Sequence, residues 1–371
     1  MDRPIVSLSG LILNNHDSDP QHLVTKRKPA WLRAKVPGGE AYSRLKSIID
    51  RHALHTVCQE AGCPNMGECW ARGVATIMIL GDTCTRACGF CNVKTGRPVT
   101  LDLDEPRRVA ESMRLMCEDS HLKHIVITSV NRDELADGGA SIWAETIVRT
   151  RELCPDLSIE VLIPDFEGNW DALQKVIDAR PTIINHNLET VRRMYPAVRP
   201  SAKFERSVEL LRRVKQAGMI AKTGIMVGIG ERDEEVLELM GEVQEKTGRS
   251  HAGTEPRSQG GEADGSACRV AHAEEPGGSR AAAHQPACST PLSPRRSVAP
   301  LRSSCDILTI GQYLQPTRNH LPIDRWVTPE QFEMFKREGL ARGFKIVESG
   351  PLVRSSYHAD HQSESLVKLS G

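Results

Sequence analysis

From residue 76 onward, short runs rich in β-branched apolar residues alternate with stretches whose apolar positions recur every three or four residues. Runs of the first kind read as strands buried on both faces, and stretches of the second kind as helices with one apolar side. Six strands are predicted, over residues 76–81, 124–130, 159–164, 182–187, 221–228 and 306–312. Helices are predicted between them, over 105–118, 140–153, 169–179, 203–217 and 233–245. A last helix follows Thr328-Pro329, a capping residue and a first-turn proline. Six βα units in series suit an α/β fold of the partial (β/α)6 TIM-type barrel kind, with its chemistry on the loops after the carboxyl ends of the strands. An open doubly wound sheet is the alternative, because sequence order does not fix strand order.

The alternation breaks over residues 247–304, which are rich in Gly, Ser, Ala, Pro and Arg and almost empty of large apolar side chains. Such a composition cannot build a core, and a structureless connection of that length between a helix and a strand is anomalous. The pattern resumes beyond it as if uninterrupted, so the stretch reads as a disordered insert. It is either a tolerated surface loop or non-coding or out-of-frame sequence translated into the chain, the second being favoured. The resulting organisation is an N-terminal extension with a cysteine loop (1–75), the first part of the barrel (76–246), the insert (247–304), the last barrel strand and helix (305–345) and a C-terminal tail (346–371).

Charge narrows the function classes. The 371 residues carry 48 Lys plus Arg against 48 Asp plus Glu, so no global field favours nucleic acid or an anionic membrane. Apolar runs such as 77–80 and 125–127 are far too short to span a bilayer. Residues 1–18 lack a basic start followed by an apolar stretch, and Asp2, Asp17 and Asp19 argue against a transit peptide. A soluble, cytoplasmic protein, bacterial in type, is expected. Its 11 cysteines then point to metal binding or redox chemistry rather than a disulfide framework.

Cysteine spacing sharpens that. Cys84-Thr-Arg-Ala-Cys88-Gly-Phe-Cys91 puts three thiolates in one short loop after the first barrel strand. A cubane iron–sulfur cluster takes four ligands, so three cysteines leave one iron open to a chelating substrate. CxxxCxxC with an aromatic before its last cysteine resembles the signature of the radical S-adenosylmethionine superfamily. The resemblance implies a [4Fe-4S] cluster whose open iron is chelated by the amino and carboxyl groups of S-adenosylmethionine, with an electron from the cluster breaking the sulfonium bond. Zinc, or three unrelated buried thiols, is the bland alternative. Structural zinc wants four closed ligands, commonly in CxxC pairs, so a trio fits it poorly. A second trio lies upstream, Cys58, Cys63 and Cys69 at spacing CxxxxCxxxxxC, in a stretch made turn-rich by Gly62, Pro64 and Gly67. It implies a second cluster. Cys117 and Cys154 read as ordinary buried thiols, Cys268 and Cys288 belong to the insert, and Cys305 has no evident role.

CxxxxCxxxxxC followed by CxxxCxxC resembles the lipoyl synthase family, and the likeness runs over nearly the whole chain outside the insert. It includes Gly350-Pro-Leu-Val-Arg354-Ser355-Ser356-Tyr357, which is similar to the family's RSSY motif. The resemblance implies that Ser356 is the fourth ligand of an auxiliary [4Fe-4S] cluster; without it, a serine near a terminus reads as solvated. It further implies insertion of two sulfur atoms at C6 and C8 of a protein-bound octanoyl-lysine, by way of a 5′-deoxyadenosyl radical, with the auxiliary cluster as sulfur donor. Those carbons are unactivated and beyond acid–base catalysis, hence the radical. An alkoxide is a less typical iron ligand than a thiolate, which makes the Ser356 corner the one expected to open. The implied partners are octanoylated lipoyl-carrier domains, from dehydrogenase complex subunits or the glycine cleavage H protein, and an electron donor such as ferredoxin or flavodoxin. Neither nucleic acid nor membrane is expected.

Other residues take supporting readings. Asn131 and Asp133 follow the second strand and are candidates for the charged end of S-adenosylmethionine, with a polar turn capping the next helix as the alternative. Glu189, at the end of the fourth strand, faces the same ligand or else matches a helix dipole. The run from Gly224 to Glu231 resembles the superfamily's GxIxGxxE adenine-side motif, which makes Glu231 a cofactor candidate; alone, a Gly-rich strand end is weak. Residues 312–320 match family sequence and are placed near the substrate. His121, His124 and His186 are assigned nothing, and Lys26-Arg-Lys28 is a solvated run or a contact for an acidic carrier domain. Three rivals stand beside the main reading. One is another two-cluster sulfur-inserting enzyme such as a methylthiotransferase, disfavoured by the neutral charge and the RSSY tail. The others are a non-catalytic metal-binding protein and a family member whose insert prevents folding. Iron content and cleavage of S-adenosylmethionine separate an enzyme from a binding module.

Overall fold

A computed structural model describes residues 28–33, 38–52, 54–60, 62–72, 74–120, 122–248 and 304–370. The expected insert, apart from residues 247, 248 and 304, lies outside the described residues, and so do His121, Lys26 and Arg27. In chain order the strands are β1 (His55–Thr56), β2 (Thr76–Ile79), β3 (Thr83–Cys84), β4 (Lys94–Thr95), β5 (His124–Ser129), β6 (Ser158–Leu162), β7 (Ile183–Asn185), β8 (Ile220–Val227), β9 (Ile307–Gln312) and β10 (Ile346–Gly350). The helices are α1 (Glu40–Arg51), α2 (Val57–Glu60), α3 (Met66–Ala71), α4 (Glu105–Ser120), α5 (Ala140–Leu153), α6 (Trp170–Asp178), α7 (Tyr195–Val198), α8 (Phe204–Gln216), α9 (Asp233–Thr247), α10 (Pro329–Ala341) and α11 (Ala359–Ser370). The six predicted strands are β2 and β5 to β9. The Thr328-Pro329 signal acted as read, Thr328 forming a reciprocal capping box with Gln331 on α10, and Asn169, the first residue of a predicted helix, caps α6.

Eight strands form one sheet in the order β1-β2-β5-β6-β7-β8-β9-β10. Every neighbouring pair is parallel except β1 with β2. Because the order never reverses, the sheet has no switch point and is not doubly wound. It is the singly wound progression of a partial barrel, open between its edges β1 and β10. Four strands were not anticipated: the two-residue β1, β3 and β4, and β10, a seventh parallel strand where the sequence predicted only tail. Just one of its five residues is buried, so it shows no continuous apolar run.

Alternate residues of each strand face the interior and stack in tiers. Thr76 and Met78 of β2, Thr128 of β5, Leu162 of β6, Gly224 and Met226 of β8, and Thr309 and Gly311 of β9 line a cavity towards the carboxyl ends. Beneath it lies a charged tier: Lys222 Nζ bonds Glu160 (3.0 Å), Asn185 Nδ2 donates to the same carboxylate (2.9 Å), and His124 stands 3.6 Å from it. Burial alone would raise the Glu160 carboxyl, but Lys222 and His124 hold it down to about 2. Lowest are Ile183, Ile307, Ile220 and Ile346, packed around Leu366 of α11. Ser363 of the same helix meets the Ser158 hydroxyl at 2.6 Å. These partners sit at the first residues of their strands, so α11 plugs the amino-terminal mouth.

Candidate active site

The CxxxCxxC loop is closed at its base by the β3–β4 ladder and by Gly96 N–H donating to the Cys84 carbonyl (2.9 Å). Its course is fixed from three sides. Arg86, inside the motif, is buried and gripped by Asp133 through two bonds of 2.7 and 2.8 Å and by Asp165 at 2.7 Å. Gly89 N–H donates to the Val198 carbonyl, and the Gly89 carbonyl accepts from Leu321 N–H, both at 3.0 Å. A Cβ on Gly89 would lie 2.8 Å from the Leu321 side chain, so the close approach requires glycine. His320 Nε2 lies 2.9 Å from the Cys91 carbonyl. Cys84 Sγ accepts from the backbone N–H groups of Arg86 (3.4 Å) and Asn131 (3.3 Å).

Cys58 lies on α2, Cys69 on α3, and Cys63 in the turn between, where its N–H donates to the Cys58 carbonyl (3.0 Å). These three cysteines and Ser356 line one small cavity, about 280 Å³ including space open to solvent, together with Thr76, Arg354 and Tyr357. The pocket therefore sits beside β2, where the segment after β10 crosses the gap between the sheet's edges. Gly311 permits that crossing, since a Cβ there would fall 2.0 Å from the Val353 carbonyl oxygen.

The larger cavity, about 1850 Å³ including the solvent at its mouth, is lined by Cys84, Cys88 and Cys91 and also by Cys58, Cys63 and Ser356. All of the first trio and two cysteines of the second thus border a single space, whose remaining wall is largely apolar. Asn131, Asn187, Glu189 and Arg199 face it, and Asn131 Oδ1, Asn187 Oδ1 and Ser129 Oγ are buried there without a hydrogen-bond partner. Burial raises the Glu189 carboxyl, with Arg199 and Asn187 pulling it back.

The donor sets fit iron–sulfur clusters. Among the described residues no three His, Cys, Asp or Glu side chains converge on a point for a single ion; the sulfurs ring cavities instead. Burial, reinforced by Cys63 and Cys58, pushes the Cys69 thiol up to about 12, and burial pushes Cys88 up to about 12 against the pull of Arg199. Such sulfurs are held as thiols unless a metal takes the proton's place.

Two cofactor candidates turn away from the larger cavity. The Asp133 carboxylate is taken by Arg86 and lines a separate shallow pocket with Glu134 and Glu167. Glu231 accepts from Gly228 N–H (2.7 Å) and Ile229 N–H (3.0 Å) and pairs with Arg325, outside the cavity lining. Each holds a loop in place. Of residues 312–320, Gln312, Tyr313, Leu314 and Pro316 line the cavity. His124 and His186 are buried in hydrogen bonds, and Cys305 is a core thiol. Sequence reasoning missed Arg199, which donates to the Asn187 carbonyl (2.7 Å); no local pattern marks it. Asp165 was missed too, although its place directly after the third predicted strand was a signal. Among the described residues no helix is long and apolar enough to cross a membrane.

Residues 78–243 match the family model of the radical SAM superfamily, and residues 14–63 that of the N-terminal domain of lipoyl synthase. A lipoyl synthase of Parabacteroides distasonis is 46% identical over 92% of this chain and 98% of its own length. One from Rubrobacter xylanophilus is 47% identical over 91% of this chain and 87% of its own. The mitochondrial lipoyl synthase of Nematostella vectensis is 42% identical over 90% of this chain and 94% of its own. Identity at this level across nine-tenths of the sequence, in a chain whose two cysteine loops border one cavity, means that the chain belongs to the lipoyl synthase family.

Proposed function

We propose that the chain inserts sulfur at C6 and C8 of an octanoyl group carried on a lysine of a lipoyl-carrier domain. Superfamily membership brings S-adenosylmethionine and a [4Fe-4S] cluster. In our reading Cys84, Cys88 and Cys91 hold that cluster, while Cys58, Cys63, Cys69 and Ser356 hold a second. When bound, the first supplies an electron for cleaving S-adenosylmethionine and the second supplies sulfur.

The chain's own residues orient the reactants. Arg199 and Glu189 offer opposite charges to the zwitterionic methionyl group, and the unpartnered oxygens of Ser129, Asn131 and Asn187 are acceptors for its ammonium or for ribose hydroxyls. Arg86, held by Asp133 and Asp165, keeps the first loop facing the cavity. The apolar wall, including Met78, Leu162, Ile225 and Leu314, suits an acyl chain and excludes water from a reactive radical. Carriers of dehydrogenase complexes or of the glycine cleavage system would present that chain, and a ferredoxin or flavodoxin would supply the electron.

The observation that carries the reading is the single cavity bordered by both cysteine loops, because hydrogen removal and sulfur delivery must reach the same carbon atoms. Anaerobic reconstitution with iron, sulfide, reductant, S-adenosylmethionine and an octanoylated peptide, followed by mass analysis, tests it. Dithiolated peptide is expected. Formation of 5′-deoxyadenosine with an unaltered peptide would refute the substrate.

A further inference from the structure

The auxiliary pocket is assembled from two segments remote in sequence, residues 57–72 and 352–360, and their register has to be set by something other than the candidate ligands. Beside a looser approach of His358 Nε2 to Glu68 Oε1 (3.8 Å), three closer side-chain contacts join them. Asn65 Nδ2 donates to the Leu352 carbonyl (2.6 Å), the Tyr357 hydroxyl donates to Glu68 Oε1 (3.5 Å), and Arg72 Nη2 pairs with Asp360 Oδ2 (2.6 Å). Positions 65, 68 and 72 meet 352, 357 and 360 in the same order. The outer two contacts therefore bracket Cys69 on one segment and Ser356 on the other.

The Arg72–Asp360 pair is the charged member. Its side chains are 29% and 20% exposed, so the pair is partly shielded from water. Arg72 follows α3 directly and Asp360 stands in the first turn of α11, so the pair ties the helix that carries Cys69 to the helix that follows Ser356. Between Ser356 and Asp360, His358 has a φ of 54°, a left-handed conformation that a non-glycine residue keeps only where its neighbours are pinned. The middle of α11 is pinned independently by Ser363 and Leu366.

We infer that Arg72 and Asp360 are positioning residues: their ion pair fixes the turn after β10 so that Ser356 is presented to Cys58, Cys63 and Cys69. This rests on the reading of Ser356 as a ligand. Because α11 stays docked through Ser363 and Leu366, breaking the latch displaces the turn without unfolding the barrel.

The full-length protein is reconstituted anaerobically as Arg72→Asp, as Asp360→Arg and as the double reversal. Iron per chain, thermal unfolding, 5′-deoxyadenosine and dithiolated peptide are measured. Each single reversal should bring iron from about eight towards about four per chain. Lipoyl product should fall roughly tenfold or more while 5′-deoxyadenosine persists, and the double reversal should restore both iron and product. Full iron and product in the single variants, equal loss of both clusters, or a double reversal that restores nothing would each overturn the latch. Ser356→Ala separates the two claims. If it lowers product while the reversals do not, only the latch fails; if it leaves auxiliary iron and product untouched, the reading of Ser356 fails and the latch with it.

Discussion

Ser356 shares its pocket with three thiols but offers a harder oxygen, and that difference is testable. A thiolate in its place would bind iron more strongly. The Ser356→Cys protein should assemble its cluster and still form 5′-deoxyadenosine, because the first loop is untouched, while lipoyl product falls steeply. Product at the unmodified rate would show that Ser356 is not the labile ligand. The cysteines themselves were legible because spacing alone brings a short loop's sulfurs together. For Asp133 and Glu231 the motif places a residue on a loop without saying which way its side chain turns: one turns to Arg86, the other to the amides of residues 228 and 229. Arg199 was invisible because its meaning depends on the fold that lays it against the end of β7.

Among the elements, the junction around the expected insert carries the clearest forecast. Cys305 N–H donates to Thr247 Oγ1 (2.9 Å) and Gln244 Nε2 to the Cys305 carbonyl (2.8 Å), so the end of α9 is bonded to the start of β9. A Cβ on Gly248 would stand 3.6 Å from that of Ser304. A short turn can bridge these ends, and loop-closure cost changes only slowly with length. We propose that residues 249–303 are dispensable. Excision should leave thermal stability equal or higher and product formation intact, since the junction lies at the amino end of β9, away from the cysteine loops. A deleted protein that unfolds where the full chain does not would show the segment to be structural, and sequencing the transcript tests a non-coding origin. The helices and strands read from periodicity were those that bury a full face. β10 escaped because its residues are mostly half-buried, and the part of α11 that meets the barrel interior offers little more than Leu366 as an apolar anchor.

For the whole molecule, the interior is a column: an apolar tier plugged by α11, a charged tier at Glu160 and Lys222, and the cavity above. Removing one partner of a buried pair leaves the other charge uncompensated, so Lys222→Met should lose about 3–5 kcal/mol in urea unfolding at neutral pH. The folded Glu160 carboxyl, at about 2, lies below its ordinary 4.5. Its contribution is therefore complete above about 4.5 and lost as pH falls towards 2, and the gap between the native protein and the variant should narrow over that window. A constant gap would show that the pair is not its source. The central claim, that one cysteine trio starts the chemistry and the other delivers sulfur into the same cavity, meets its most direct test in a single turnover. Protein reconstituted with heavy-isotope sulfide, freed of unbound sulfide and given S-adenosylmethionine, reductant and octanoylated peptide should yield lipoyl product bearing two heavy sulfurs, whereas dithiolated product free of the label would contradict the account.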